Sequence, residues 1–260
     1  MLAKALLEKD AEEDGARDSL EDDWAERGQI QNTTIGDVNT SINVTDQERL
    51  ININRLSNKS NREYNRIHES LMRLVDILEL DELTDFEIAQ RITDYIDNDE
   101  EGDYEEDAKN APLTTIEEMI QIPGITPAIL YGYINEDGEK IKGLADFIGL
   151  WGTARINLNT ASRETLMAIC PEISEEDADN IVDYRSEVEL FNTPMDLTNV
   201  TGMSDIYQRD KTLLQYVTTV STYFEVKVTA SKDNVKKEVR AILQRQGKKV
   251  DMLFWKEREI

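Results

Sequence analysis

The chain has 260 residues, 39% of them hydrophobic, and carries 54 acidic against 29 basic side chains, a formal net charge of −25. This composition is sufficient for a folded core, and its negative field would repel the phosphate backbone of a nucleic acid. Cys170 is the only cysteine, which excludes an intramolecular disulfide, and no stretch approaches the ~18–20 apolar residues of a membrane span. The acidity instead favours the binding of cations, or solubility in a salty or calcium-rich compartment.

The pattern in residues 2–26 predicts a single helix. Apolar residues at its start fit a helix already under way, and Leu6, Leu20 and Trp24 continue one apolar side. Gly15 is the weak point of this helix because glycine destabilises a helix interior.

The pattern changes to period two between residues 29 and 56. The segments VNTSINV and RLININRL alternate apolar and polar residues, which is typical of half-buried strands. In the second segment, Ile51 and Ile53 are expected to face the same way.

Helical signals dominate from about residue 60 to about residue 205. Two apolar faces with three- and four-residue spacing predict two long helices. The first face consists of Tyr64, Ile67, Leu71, Leu74, Val75 and Leu78, and the second of Phe86, Ile88, Ala89, Ile92, Tyr95 and Ile96. Shorter helices are predicted after the capping-box sequence at 115–118, from Pro127, through Leu166 and Ile169, from Ser174 to about Arg185, and near Leu197.

Apolar and polar residues alternate again beyond residue 212. YVTTVSTYFEVKVTAS and KKEVRAILQR predict antiparallel strands joined by a turn at Asp233 and Asn234, and VDMLFWKE predicts a last strand. The strands on both sides of the helical block are expected to share one sheet. The pattern therefore predicts an α+β protein, with the sheet domain in residues 1–58 and 208–260 and an inserted helical domain in residues 59–207.

The run DYIDNDEEGDYEED lies between two predicted helices, and nine of its fourteen residues are acids. Asp97, Asp99 and Glu101 occupy positions 1, 3 and 5 of the calcium-loop pattern D-x-[DN]-x-[DN]-G, and Gly102 occupies position 6. Calcium requires six to eight oxygen ligands, which alternate carboxylates around a glycine turn can supply.

The match to a standard calcium loop is partial, because Glu101 replaces a shorter side chain and position 12 is Ala108 rather than glutamate. We therefore predict a non-standard site for calcium or another hard cation. Its expected ligands are Asp97, Asp99, Glu101, Asp103, Glu105 and Glu106, with Asp107 as a further candidate. A solvated acidic loop that binds no ion is the alternative.

Turns between short helices occur at residues 122–125, 170–173 and 200–203. IPGITPAIL resembles a helix-hairpin-helix, whose glycine turn can direct backbone N–H groups at a DNA phosphate. The middle turn lacks the glycine, acids crowd the following helix, and the sequence contains no basic stripe. These hairpins are therefore predicted to pack helices rather than to bind DNA, and Cys170, within the apolar run MAIC, is predicted to be buried.

Several segments together resemble one family, the K subunit of bacterial type II secretion systems, a minor pseudopilin. The segments are LAKALLEKD…DSLEDDWAERG, VTDQERLININRL, ITDYIDNDEEGDYEED, NAPLTTIEEMIQIPGI, RINLNTASRETLMAI and TYFEVKVTA…RAILQR…FW. INLNTA alone occurs also in competence proteins, but the ordered set, with the acidic loop before NAPLTTIEE, is specific.

The resemblance implies a pilin-like fold, in which an N-terminal helix packs on a small antiparallel sheet. A large all-α domain with helix-hairpin-helix or SAM-like pieces is inserted between strands. Family members also carry an N-terminal hydrophobic membrane helix behind a short leader peptide, and LAKALLEKD is similar to the segment that follows it. The resemblance thus implies a periplasmic protein of a Gram-negative bacterium, anchored in the inner membrane in its full-length form.

The resemblance implies a mechanical role without catalysis. The K subunit is expected to join the I and J minor pseudopilins at the tip of the pseudopilus, where the complex initiates assembly for secretion across the outer membrane. Calcium binding in the α-domain is also expected from the family, at the matching acidic loop.

Two other functions are consistent with parts of the sequence. A DNA-binding protein of the competence type would use the hairpins, although the net charge of −25 opposes it. A hydrolase could use a metal at the acidic loop, but the only histidine, His68, lies outside that loop.

Overall fold

A computed structural model describes residues 2–13, 15–26, 28–35, 37–80, 85–99 and 101–260. The α-helices are α1 (Leu2–Glu13), α2 (Asp23–Glu26), α3 (Tyr64–Ile77), α4 (Asp85–Ile96), α5 (Pro127–Tyr131), α6 (Arg163–Ile169), α7 (Glu175–Asp183) and α8 (Met203–Arg209). The strands are β1 (Ile30–Ile35), β2 (Val38–Asp46), β3 (Ile51–Asn52), β4 (Tyr133–Ile134), β5 (Lys140–Ile141), β6 (Ile148–Gly149), β7 (Ile156–Asn157), β8 (Val217–Thr218), β9 (Tyr223–Lys232), β10 (Val235–Gln246) and β11 (Lys249–Glu259). Short 3₁₀ segments cover Ile53–Ser57, Ile116–Gln121, Leu144–Asp146, Pro194–Asn199 and Leu213–Gln215, and a π-helical turn covers Tyr184–Val188.

The main sheet has five antiparallel strands in the order β1-β2-β9-β10-β11. Val44 of β2 pairs with Val226 of β9, and Val226 pairs in turn with Ala241 of β10. Because β2 and β9 are neighbours in the sheet, the whole helical block lies between two adjacent strands. The predicted mixture of helices and one antiparallel sheet is thus confirmed.

The smaller hydrophobic core lies where α1 and α2 cover one face of the sheet. Trp24 packs edge-on against Phe224 of β9, with ring centroids 5.0 Å apart. The buried members are Ala3, Leu6, Leu7, Trp24, Ala25, Val44, Phe224, Val226, Leu243 and Val250. The sheet's period-two alternation therefore directs one set of side chains at α1 and the other set at the opposite face.

On that opposite face, ion pairs connect the sheet to the helical block. Buried Glu238 of β10 pairs with Arg258 at 2.7 Å and with Lys227 at 3.1 Å. Glu117, from the 3₁₀ segment Ile116–Gln121, reaches Arg240 at 3.4 Å and Arg258 at 3.6 Å. A cavity of about 320 Å³ lies between the two surfaces and is lined by residues of both.

The larger core fills the helical block. Its buried apolar residues extend from Ile51 to Val217 and include Cys170, so the predicted burial of this cysteine is confirmed. Ile51 and Leu56 on one side and Leu213 and Val217 on the other belong to this core, although they lie outside residues 59–207. The domain boundaries themselves stay a prediction.

The expectation of one helix over residues 2–26 is wrong. α1 ends at Glu13 and the short α2 begins only at Asp23. Between them the backbone N–H groups form non-helical hydrogen bonds. Asp18 N donates to Thr219 O at 2.7 Å, and Ser19 N donates to the Asp22 carboxylate at 2.7 Å. These contacts replace the helical ladder beyond Gly15.

The expected strand through RLININRL is also shorter than predicted. β3 contains only Ile51 and Asn52, after which Ile53–Ser57 forms a 3₁₀ segment. The Asn52 side chain causes the change, since its Oδ1 accepts from Asn54 N at 3.1 Å and caps this segment. Ile51 and Ile53 are nevertheless both fully buried.

Candidate functional site

The acidic loop begins where α4 ends. The apolar face of α4, which includes Ile88, Ile92 and Ile96, is buried in the larger core and fixes the position of the helix end. Asp97 N donates to Thr93 O at 2.9 Å, which continues the helical bonding by one residue. The loop therefore starts from a rigid support.

Asp97 is the most unusual carboxylate of this loop. The residue is 0% exposed, and neither of its carboxylate oxygens accepts a hydrogen bond from a described residue. The Lys59 ammonium is a nearby positive charge, 3.5 Å from Asp97 Oδ2. Burial raises the pKa of Asp97 above its usual value, and Lys59 only partly opposes this effect. Such a buried, unsatisfied anion is costly unless a cation neutralises it.

Asp99 lies beside Asp97 and is better solvated. Lys59 Nζ is 2.7 Å from Asp99 Oδ2, and Glu101 N donates to Asp99 Oδ1 at 2.9 Å. The hydrogen bond from Lys59 lowers the pKa of Asp99, so this carboxylate stays ionised at neutral pH.

Glu105 completes a group of three. One carboxylate oxygen from each of Asp97, Asp99 and Glu105 lies within 4.8 Å of the others, and Glu105 Oε1 accepts no hydrogen bond from a described residue. Partial burial, followed by the charges of Asp94, Asp97 and Asp99, raises the pKa of Glu105. Oxygens that share one calcium at about 2.3–2.6 Å can be no more than about 5 Å apart. The three side chains therefore fit a single hard cation.

The other predicted ligands do not join this group. The side chains of Glu101, Asp103 and Glu106 are exposed. Glu101 instead presents its backbone carbonyl, which accepts a hydrogen bond from Lys59 Nζ at 3.4 Å. Three of the six predicted ligands are thus brought together, and the full ligand set stays a prediction.

Asp94 organises the loop and was missed as a site residue. It is fully buried, and its carboxylate accepts from Gln90 Nε2 at 2.5 Å and from Tyr104 N at 3.1 Å. A Cβ at Gly102 would lie only 2.4 Å from Asp94 Cγ, so glycine is needed for this close approach. The i, i+3 spacing of Asp94 and Asp97 places both on one side of the helix end, and this signal could have identified it.

The far end of the loop folds back on α4. Lys109 N and Asn110 N both donate to Tyr95 O at 3.1 Å. In the amide orientation that satisfies its neighbours, Asn110 donates to Glu105 Oε2 at 3.2 Å and to Asp94 O at 3.3 Å. Asn110 thus holds Glu105 toward the other carboxylates.

A second acidic group, Asp10, Asp18 and Asp22, lies near the end of α1. Here a buried arginine is the counter-ion, since Arg245 donates to Asp10 Oδ2 at 2.7 Å and also to Asp18. Ser19 N and Trp24 Nε1 donate to Asp22. This group fixes α1 to the sheet, in contrast to the acidic loop.

Comparison with models of known protein families matches one part of this region directly. Residues 49–132, which contain β3, the long helices α3 and α4 and the acidic loop, match the model for type II secretion system (T2SS), protein K. This segment is therefore similar to protein K of type II secretion systems, as the resemblance in the sequence predicted. The recognition of this family from the sequence is thereby confirmed.

The fold comparison covers the whole chain. It matches a chain of the crystal structure of the GspK-GspI-GspJ complex from the enterotoxigenic Escherichia coli type 2 secretion system, with a TM-score of 0.77 and 16% sequence identity. The match covers 100% of this chain and 92% of that chain. No curated protein matches the sequence. Among the described helices, none combines the length and apolar character that a membrane span requires.

Residues 153–207 of the chain also match the helix-hairpin-helix motif. The geometry does not favour DNA binding, because an added Cβ at the turn residue Gly202 would lie 2.7 Å from Asp177 Oδ1. A phosphate approaching that turn would meet this carboxylate. Arg163 pairs with Glu175 and Asp179 rather than facing solvent alone.

The INLNTA segment has a structural role in this chain. Asn157 is fully buried, and its amide donates to Ser221 Oγ at 2.8 Å, Asp18 O at 3.1 Å and Asp46 Oδ2 at 3.3 Å. Thr160 also donates to Asp46, at 2.5 Å. These bonds join the helical block to both sequence segments of the sheet domain, residues 1–58 and 208–260.

Proposed function

We propose that this chain is the K-type minor pseudopilin of a type II secretion system and acts as a non-enzymatic assembly component at the tip of the pseudopilus. The match of residues 49–132 to the protein K family carries this proposal. The fold match over the whole chain to a chain of a GspK-GspI-GspJ complex supports it. The DNA-binding alternative is not favoured.

The proposed partners are the I and J minor pseudopilins of the same secretion system, since the matched chain belongs to a complex of that composition. The pilin-like part of the chain would be α1 and the five-stranded sheet, whose edge strand β11 exposes Met252, Leu253 and Trp255. Exposed apolar and aromatic residues of this kind are common at protein interfaces.

The bulk of the helical block supports the proposed position at the tip. It is inserted between β2 and β9 and held to the sheet through Glu117, Asn157 and Thr160. A rigid, bulky insertion would obstruct the addition of a further subunit above it. We place the subunit in the periplasm of a Gram-negative bacterium.

We further propose that the acidic loop binds calcium. Asp97, Asp99 and Glu105 would hold the ion, and the fit is supported by the unsatisfied oxygens of Asp97 and Glu105. Calcium that binds only the folded state would add about 2.7 kcal/mol to the free energy of unfolding at a hundredfold excess over Kd. Its role would be to fix the acidic loop between α4 and the 3₁₀ segment Ile116–Gln121.

A gene deletion in the source bacterium tests the proposed role. Loss of the chain should retain exoproteins inside the cell envelope, and a plasmid copy should restore their secretion to the medium. A periplasmic protein unrelated to secretion serves as the leakage control. Normal secretion in the deletion strain would contradict the proposal.

A further inference from the structure

The Lys59 ammonium contacts two of the three carboxylates that would hold a cation in the acidic loop. Its Nζ is 2.7 Å from Asp99 Oδ2, 3.5 Å from Asp97 Oδ2 and 3.4 Å from Glu101 O. We infer that Lys59 is a built-in counter-ion of this site, which calcium must displace, and that Lys59 therefore sets the calcium affinity. This inference rests on the proposed calcium site.

The turn that carries Lys59 is fixed independently of the acidic loop. It lies between the 3₁₀ segment Ile53–Ser57 and α3. Asn58 Oδ1 accepts from Ser60 N at 2.8 Å, and Asn61 Nδ2 donates to Arg55 O at 2.9 Å. The lysine is thus presented to the carboxylates by a separate, ordered segment.

The Lys59 ammonium is also able to move away from the carboxylates of the acidic loop. Its side chain is 43% exposed, so the ammonium can rotate into water without unfolding its surroundings. Arg245, the cation of the Asp10 and Asp18 group, has a side chain only 4% exposed and has no such path. Of these two acidic groups, the loop therefore has the exchangeable counter-ion.

A lysine can neutralise and hydrogen-bond only some of the carboxylate oxygens of the acidic loop. One ammonium carries a single charge and three donors, and the hydrogen bond to Asp99 keeps the pKa of Lys59 above its ordinary value. Both oxygens of Asp97 and Oε1 of Glu105 still accept no hydrogen bond from described residues. Calcium carries two charges and takes six to eight oxygens, so it can satisfy groups that the lysine cannot reach.

The sign of a Lys59 substitution distinguishes this role from simple support. If Lys59 competes with calcium, its removal should strengthen calcium binding while it weakens the calcium-free protein. If Lys59 merely orders the loop, its removal should weaken calcium binding, because the ligands would lose their arrangement.

Isothermal titration of calcium chloride into the full chain tests the inference. The Lys59→Met variant should bind calcium about tenfold more tightly than the wild type, the change expected for loss of about 1.4 kcal/mol of competing charge interaction. Lys109→Met is the matched control, since Lys109 lies at the other end of the loop and pairs with Glu118 at 2.5 Å. Its calcium affinity should stay within about twofold of the wild type.

Lys59→Arg provides a second variant that keeps the charge and should not bind calcium more tightly than the wild type. Equal or weaker calcium binding by Lys59→Met would overturn the inference and leave the calcium site intact. Binding by Lys59→Met without binding by the wild type would support the counter-ion and contradict calcium as the native ligand. No binding by any variant would overturn both.

Discussion

The side-chain amide of Asn157 donates to the hydroxyl of Ser221 at 2.8 Å, a contact between the helical block and the segment that leads into β9. Asp18, Asp46 and Arg245 surround this pair, so the junction is a buried polar network and not an apolar interface. Such a network fixes one orientation of the helical block relative to the sheet domain only while each buried polar group has a hydrogen-bond partner.

Asn157→Ala should therefore destabilise the protein by about 2–4 kcal/mol, because several buried acceptors lose their donor at once. Urea unfolding measures this change. Asn43→Ala is the control, since Asn43 is half-buried and donates to Thr45 Oγ1 at a long 3.4 Å. A loss for Asn157→Ala no larger than for Asn43→Ala would contradict a structural role of the junction.

The stability of the junction should depend on pH through Asp18. Burial raises the pKa of Asp18 to about 7, although Arg245 opposes the shift. Because this folded-state pKa exceeds the unfolded value, the folded state binds more protons, and the contribution of Asp18 to stability declines as pH rises toward 7.

Asp18→Asn tests this dependence. Asp18 Oδ1 accepts no hydrogen bond from described residues, so an amide can replace it while Oδ2 continues to accept from Arg245 and Ser221. The variant should gain stability relative to the wild type between about pH 5 and pH 7 in urea titrations. Burial lowers the pKa of His68, which makes its contribution to stability rise with pH. This contribution is the same in the wild type and the variant, so it cancels in the difference between their free energies of unfolding. A stability difference between the two proteins that does not change with pH would contradict the raised pKa of Asp18.

Asp97→Asn should separate two effects in the acidic loop. Removal of a buried, unsatisfied charge should stabilise the calcium-free protein, whereas the gain of several degrees that we expect calcium to give the wild type should disappear. Thermal melts in EDTA, calcium and magnesium measure both changes. Asp103→Asn, an exposed acid of the same loop, should retain the calcium gain. An undiminished calcium shift in Asp97→Asn would place the ion elsewhere.

Gly102→Ala should disturb the same site through Asp94. The new Cβ would clash with the Asp94 carboxylate, at a cost of about 1–3 kcal/mol and with weaker calcium binding. Glu106→Ala is the matched control, as Glu106 is exposed in the same loop. Wild-type stability and calcium affinity in Gly102→Ala would show that Asp94 does not organise the loop.

The hairpins should not bind DNA. Fluorescence anisotropy of a labelled duplex at low salt should show no binding, since Asp177 lies at the Gly202 turn and the chain is strongly acidic. Binding that weakens linearly with the logarithm of salt concentration would instead favour the DNA-binding alternative.

The sequence was most informative where one periodicity covers a long segment. The helical periods around Leu71 and Ile92 correspond to α3 and α4, and the alternation in EVKVTAS and EVRAILQR corresponds to β9 and β10. The long period-two run around Ile53 was misleading, because the Asn52 side chain caps a 3₁₀ segment that an apolar pattern does not reveal.

The acidic loop shows the limit of local reasoning. Its calcium-like spacing indicated Asp97 and Asp99, but Lys59 lies 40 residues away in sequence from Asp99 and no spacing rule connects them. The same applies to Asn157, whose role depends on Asp18 and Ser221 from distant segments. Contacts of this kind require the fold.

The central claim, a K-type subunit that acts with two sibling pseudopilins, is tested most directly by size-exclusion chromatography with light scattering. The chain would be mixed with the soluble I and J subunits of the same secretion system. We expect one peak with the mass of a heterotrimer that contains one copy of each subunit. Elution of the chain as a separate species in the presence of both I and J would contradict the account.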